Sequence, residues 1–268
     1  MPTIQVNGIE LYYEMHGEGQ PVLLIHGLGS STRDWDLQVP ALAAQFKVIT
    51  FDVRGHARSE KPKQPYSVKL FADDTAALIR ALDLAPVHVV GISMGGMIAF
   101  QLAVDSPELV RSLVIFNSGP AMPIRTLAQR MMIWTRIAVV RVRGMRTMGE
   151  MLAARLLPRK EHAAAREQFI ERWATNDPTA YLSALRGLVN WTVMDALPQI
   201  DQPVLVLTGD RDYTPVAFKQ AYTAMIKHAE LVVIDDAHHF APIERPEAVN
   251  AALLAFLNRV GQLAVQQG

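Results

Sequence analysis

A serine between glycines follows an apolar run in Val87-His88-Val89-Val90-Gly91-Ile92-Ser93-Met94-Gly95-Gly96, and a helical pattern opens directly after it. Strand, sharp turn and helix around a Gly-x-Ser-x-Gly spacing present a serine hydroxyl as a nucleophile, with glycines where side-chain bulk would block the turn. The segment lacks the Lys-Ser/Thr of a P-loop and the Gly-x-Gly-x-x-Gly spacing of a dinucleotide site. A serine hydroxyl attacks an acyl carbon only when a base takes its proton, and the base needs an orienting acid. Both occur downstream, in the order serine, acid, histidine. Asp210 and Asp212 stand after the apolar run Val204 to Leu207, and His238 and His239 follow the run Leu231 to Ile234. Position after a strand leaves either member of each pair open. Adjacent histidines seldom reach one ion, and no third ligand cluster accompanies them, so no metal is expected.

Acyl transfer also needs donors for an oxyanion. The backbone N–H of Met94, next to the serine, is one candidate. The other is the N–H of Leu28 in His26-Gly27-Leu28-Gly29, a turn after the apolar run Val22 to Ile25 whose glycines let substrate approach the backbone. His26 is expected to shape this turn, not to carry protons.

These residues need a scaffold that gathers strand ends. Val22–Ile25, Val48–Phe51, Val87–Ile92, Leu113–Phe116, Val204–Leu207 and Leu231–Ile234 are short apolar runs without alternation. Such runs suit strands buried on both faces of a parallel sheet. Asn7-Gly8 between two strand-like runs predicts a hairpin. Ser67 is placed to cap a helix, Pro215 and Pro246 to open helices, and Gly261 to end the last one. Strands alternating with helices predict an α/β sheet sandwiched between helices. The rhythm breaks from Pro120 to Pro198, where Met, Ala, Leu and Arg recur with helical periodicity and no buried strand run occurs. A helical insertion is expected there, dividing the chain into 1–119, 120–198 and 199–268. Its many arginines are expected to face solvent. A sharper reading makes Arg136, Arg141, Arg143 and Arg146 a basic rim for an anionic substrate or an acidic carrier protein.

Composition narrows the classes. The 268 residues include 26 basic and 26 acidic side chains, so the basic excess of a nucleic-acid binder is missing. Half the residues are apolar, enough for a large core. There is no cysteine, hence no disulfide and no thiol nucleophile. The start, Met1 to Gln5, has no signal-peptide pattern, and Val87 to Val104 is too interrupted to span a membrane. A soluble, cytoplasmic protein is expected.

The chain resembles the α/β-hydrolase superfamily over essentially its whole length. The matching pieces are His26 to Gly29, Asp52 to Ser59, Gly91 to Gly96, Gly209 to Pro215 and His239 to Pro246. The resemblance implies a mostly parallel central sheet of about eight strands flanked by helices, with the insertion as a helical cap over the pocket. It selects Asp212 by its spacing to Pro215, and His239 by its spacing to Glu244-Arg245-Pro246, with His238 where the family usually has glycine. Asp52, Arg54 and His56 become loop stabilisers, and Ala57 stands where glycine is usual. Ser93 at the elbow excludes the branches with an aspartate nucleophile. The function implied is a serine hydrolase of carboxylic esters, with a small-molecule acyl substrate and no cofactor. Ser93, Asp212 and His239 would be catalytic, Leu28 and Met94 would form the oxyanion hole, and Trp134, Trp173 and Trp191 would line the pocket. Enol-lactone hydrolases, carbon–carbon bond hydrolases and cofactor-free haloperoxidases acting as perhydrolases share these motifs. A receptor that binds without turnover is the rival from another class.

Overall fold

A computed structural model describes residues 2–266, so Met1, Gln267 and Gly268 of the expected core segments lie outside the described residues. The strands are β1 (Thr3–Val6), β2 (Ile9–His16), β3 (Pro21–Ile25), β4 (Lys47–Phe51), β5 (Val87–Ile92), β6 (Val110–Phe116), β7 (Val204–Gly209) and β8 (Ala229–Ile234). They form one sheet in the order β1-β2-β4-β3-β5-β6-β7-β8. The hairpin turns at Asn7 and Gly8, both at positive φ (47° and 74°), as a type I′ turn requires. β2 pairs antiparallel with β4, and every pairing from β4 onward is parallel. The sheet matches the α/β-hydrolase architecture implied by the resemblance.

From β3 the chain steps to β4 on one side and later to β5 on the other. The loops leaving β3 and β5 therefore diverge, which opens a crevice at their carboxyl ends. The Gly27–Gly29 turn and Ser93 stand at that crevice.

The helices are α1 (Val39–Ala43), α2 (Val68–Ala81), α3 (Met94–Asp105), α4 (Leu127–Leu156), α5 (Ala163–Ala174), α6 (Pro178–Leu188), α7 (Val216–Thr223), α8 (Ala241–Glu244) and α9 (Pro246–Gln266). Val22, Leu24, Val90 and Ile92 pack with Leu42 of α1 and Leu253 and Leu257 of α9. Leu23, Ile25 and Val89 pack on the opposite face with Phe71 of α2 and Ile98 of α3. Both faces are covered, which is why the strands lack polar alternation. Ser67 accepts from Leu70 N at 3.0 Å, the expected cap of α2. Pro246 opens α9 as expected, whereas Pro215 is the N-cap and α7 starts one residue later. Gly261 does not end α9, which continues to Gln266. The residues after it favour helix, which offsets the ~1 kcal/mol that an interior glycine costs.

α4, α5 and α6 lie between β6 and β7. Thr126 and Gln129 form a capping box at the start of α4. At Gly144 the backbone leaves the helical region (φ 81°, ψ −179°), so α4 is two helical segments joined at a break. Met148, Phe169, Trp173, Tyr181 and Leu185 form a separate apolar cluster that also takes in Phe240. The insertion thus packs onto the loop that carries His239. Among the described residues, no helix is long and apolar enough to cross a membrane.

Candidate active site

Ser93 sits between β5 and α3 at φ 54°, ψ −116°, a conformation that costs a non-glycine residue ~1–3 kcal/mol. Its neighbours hold it there. Ser93 N donates to Phe116 O at 2.9 Å, and Ser118 Oγ donates to Ser93 O at 2.6 Å. A Cβ at Gly91 would collide with Gly95 O, and one at Gly95 with Ile25 O. The start of α3 closes onto β3 and β5 only because both positions are glycine. Met94, next in the chain, is buried with its backbone at the helix N-terminus.

The turn after β3 is built by side chains. Val53 N donates to His26 Nε2 at 2.9 Å, and His26 Nδ1 lies 2.7 Å from Gly27 O. Buried Asp34 accepts from Gly27 N at 3.1 Å and from Ser30 Oγ. His26 is structural, as expected. A methyl added at Gly27 would lie 3.6 Å from Ser93 Cβ, so the turn carrying Leu28 stands beside the serine. Asp52 and Arg54 likewise hold loops. Asp52 accepts from Thr32 N and Arg58 Nε, and Arg54 donates twice to Asp74 at 2.6 Å.

Asp212, just past β7, accepts from His239 Nδ1 at 2.7 Å, with both side chains buried. This bond puts the proton on Nδ1 and leaves Nε2 as an acceptor. The other Asp212 oxygen accepts from Lys219 of α7, a fully buried ammonium that also donates to Thr214 O (2.7 Å) and Thr214 Oγ1 (2.6 Å). Burial pushes the Asp212 carboxyl up, but the bond and charge of His239, with those of Lys219, hold it well below the usual carboxylate range. Burial also pulls the Lys219 ammonium down, against the charge of Asp212. The neighbouring candidates have other partners. Asp210 accepts from Ala237 N at 2.9 Å, and His238 Nδ1 lies 2.9 Å from Glu244 Oε1.

Sequence reasoning missed Lys219 and Tyr213. The Tyr213 hydroxyl lies 3.2 Å from His239 Nε2, and its ring tilts over the imidazole with centroids 4.3 Å apart. About half of Tyr213 is exposed. Burial and the Asp212 charge push that phenol up to about 12, against Arg136, Ser93 and Arg155. The only sequence signal was its place directly after the chosen acid.

Of the three expected pocket tryptophans, the structure brings one to the site. Trp173 is buried, stacks on Phe169 and lies against Gly29 of the turn after β3. Trp134 is 69% exposed, because Ile133, Ile137 and Val140 take the inward face of α4. Trp191 donates from Nε1 to Gln101 Oε1 at 2.7 Å, about two turns along α3 from the elbow. The expected basic rim also divides. Arg141 and Arg143 are exposed and Arg146 pairs with Glu171, whereas Arg136 is half-buried near Tyr213. Among the described residues, no three His, Asp or Glu side chains group as metal ligands.

The sequence matches the alpha/beta hydrolase family over residues 22–252. The chain belongs to that family. A Mycobacterium tuberculosis protein with the provisional name non-heme bromoperoxidase BpoC is 32% identical, over 94% of this chain and 99% of that protein. The crystal structure of the enol-lactonase from Burkholderia xenovorans LB400 superposes with TM-score 0.89 at 26% identity, covering 96% of this chain and 100% of that one. A thermophilic esterase from Thermogutta terrifontis, malate bound, gives TM-score 0.89 at 28% identity, over 97% and 99% of the two chains. Hydrolase chemistry on a small molecule follows from the family.

Proposed function

We propose that the protein is a serine hydrolase that cleaves carboxylic esters through an acyl-enzyme. Ser93 Oγ attacks the acyl carbon while its proton passes to His239 Nε2. Asp212 holds the opposite ring N–H and stabilises the imidazolium. The N–H groups of Leu28 and Met94 receive the oxyanion. The imidazolium protonates the departing alkoxide, the C–O bond breaks and the acyl-enzyme remains. Water, deprotonated by His239, releases the acid and restores Ser93. Tyr213 shares the His239 lone pair at rest and yields it to Ser93 as the proton moves. α4 to α6 serve as a cap that sets substrate choice. A lactone follows the same steps with its alkoxide tethered, and the likeness to an enol-lactonase supports including lactones.

The observation that carries this reading is the buried 2.7 Å pair of Asp212 and His239, on the same sheet edge as a serine held in a strained elbow. Its test is a comparison of neighbours with a short p-nitrophenyl ester. His239→Ala and Asp212→Asn are expected to lower kcat/KM by about a thousandfold or more, and His238→Ala and Asp210→Asn by less than about tenfold. The reverse ranking in either pair overturns the assignment.

A further inference from the structure

We propose that Arg136 and Arg155 of α4, with the Tyr213 hydroxyl, form a carboxylate-binding subsite over Ser93, so that the preferred substrates carry an anionic group. This rests on the serine-hydrolase reading of the site. The Arg155 guanidinium lies 5.0 Å from the centroid of the Tyr213 ring, the ring that also packs on His239. Arg136 is half-buried, and its charge acts on both the Tyr181 and the Tyr213 phenols. In a straight helix the 19 positions from 136 to 155 would span about 28 Å. The break at Gly144 lets both guanidinium groups bear on the same tyrosine.

Neither arginine has a carboxylate within salt-bridge reach among the described residues, whereas Arg146 and Arg159 of the same insertion pair with Glu171 and Asp236. Asp212 stands directly before Tyr213 in the chain, and His239 and Lys219 already take its two oxygens. Arg155 over the Tyr213 ring is thus left without a carboxylate partner among the described residues. Two further donors lie in the same apolar cluster. Tyr181 (1% exposed) and Trp173 (3% exposed) bury a hydroxyl and an indole N–H without a hydrogen-bond partner among the described residues. Their rings are 5.3 Å apart, and Trp173 reaches Gly29 of the turn after β3. A buried donor without an acceptor is unfavourable, and a carboxylate supplies acceptors. Planar guanidinium groups and a phenol match the planar, two-oxygen geometry of a carboxylate.

The test compares mono-4-nitrophenyl glutarate, which carries a carboxylate on the acyl chain, with neutral 4-nitrophenyl butyrate. The expected ratio of kcat/KM, anionic over neutral, is about tenfold or more at low salt and falls as salt screens the charges. Arg136→Gln and Arg155→Gln bring the ratio towards one, while Arg141→Gln, on the exposed face of α4, leaves it unchanged. A ratio near one in the native enzyme, or one that survives both substitutions, overturns the subsite. Calorimetric titration of the Ser93→Ala protein with glutarate separates the two claims. Glutarate binding that is lost on adding Arg136→Gln, without turnover of either ester by the native enzyme, keeps the subsite and overturns the serine-hydrolase reading. Ester turnover without glutarate binding overturns the subsite alone.

Discussion

Arg54, in the loop after β4, is 3% exposed and donates two 2.6 Å bonds to buried Asp74 as well as one to Asn7 O. Arg141 and Arg143, in the insertion, lie on the exposed face of α4. The same side chain does different work because the backbones around it differ. A loop over the sheet edge cannot satisfy its own N–H and C=O groups, so buried charged side chains such as Arg54 and Asp52 fix it. A helix satisfies its own backbone, and its arginines stay free for solvent, for a ligand or for the few carboxylates nearby. The core holds Ser93, Asp212 and His239 in fixed places just past their strands, and the insertion carries arginines that have no carboxylate in salt-bridge reach among the described residues.

The largest expected effect breaks the core side of that comparison. Asp74→Ala leaves Arg54 buried without its partner and is expected to cost about 3–5 kcal/mol, read as a lower urea midpoint. Comparable losses from Arg141→Ala would show that the two regions do not differ.

Acid should act through the core as well. Burial, then the charge of His26, lowers His56 to about 3, and burial, then Arg111, lowers His88 to about 4. In the unfolded chain both histidines titrate near ~6.5. The unfolded state therefore takes up protons that the folded state refuses. Stability is full above about pH 6.5 and falls as the pH drops towards 4, by up to about 1.4 kcal/mol per pH unit for each histidine. Urea titrations between pH 7 and pH 4.5 check this. His88→Gln is expected to flatten the slope by one proton, and an unchanged slope would contradict the assignment.

The smallest effects belong to the outer face of the insertion. Arg141→Ala and Trp134→Ala are expected to stay within about 0.5 kcal/mol of the native protein. Trp173→Ala, in the buried cluster of the same insertion, is expected to cost about 3–5 kcal/mol. Equal melting temperatures for the Trp134 and Trp173 variants would mean that the inward face of α4 and α5 has been misassigned.

The same division explains what the sequence disclosed. The Asn7-Gly8 turn, the Ser67 cap and the continuous apolar strands were legible because each depends on local chemistry. The placement of Ser93, Asp212 and His239 just past their strands was legible because the strand ends are visible as apolar runs. Trp134, Trp173 and Trp191 looked equivalent, since which face of a helix turns inward is decided by packing partners far along the chain. Gly261 looked like a helix end, but the helix formers after it carry the helix on. Lys219 and Tyr213 carried no motif, and their roles depend on α7 and the β7 loop folding back around Asp212.

Covalent capture of the nucleophile tests the central claim most directly. The native protein would be treated with a fluorophosphonate probe and weighed intact, its modified peptide mapped, and the Ser93→Ala protein treated in parallel. We expect one adduct per chain, on Ser93, absent from Ser93→Ala, whose ester turnover is at least about a thousandfold lower. Undiminished labelling of Ser93→Ala, or an adduct on another residue, would contradict the acyl-enzyme account.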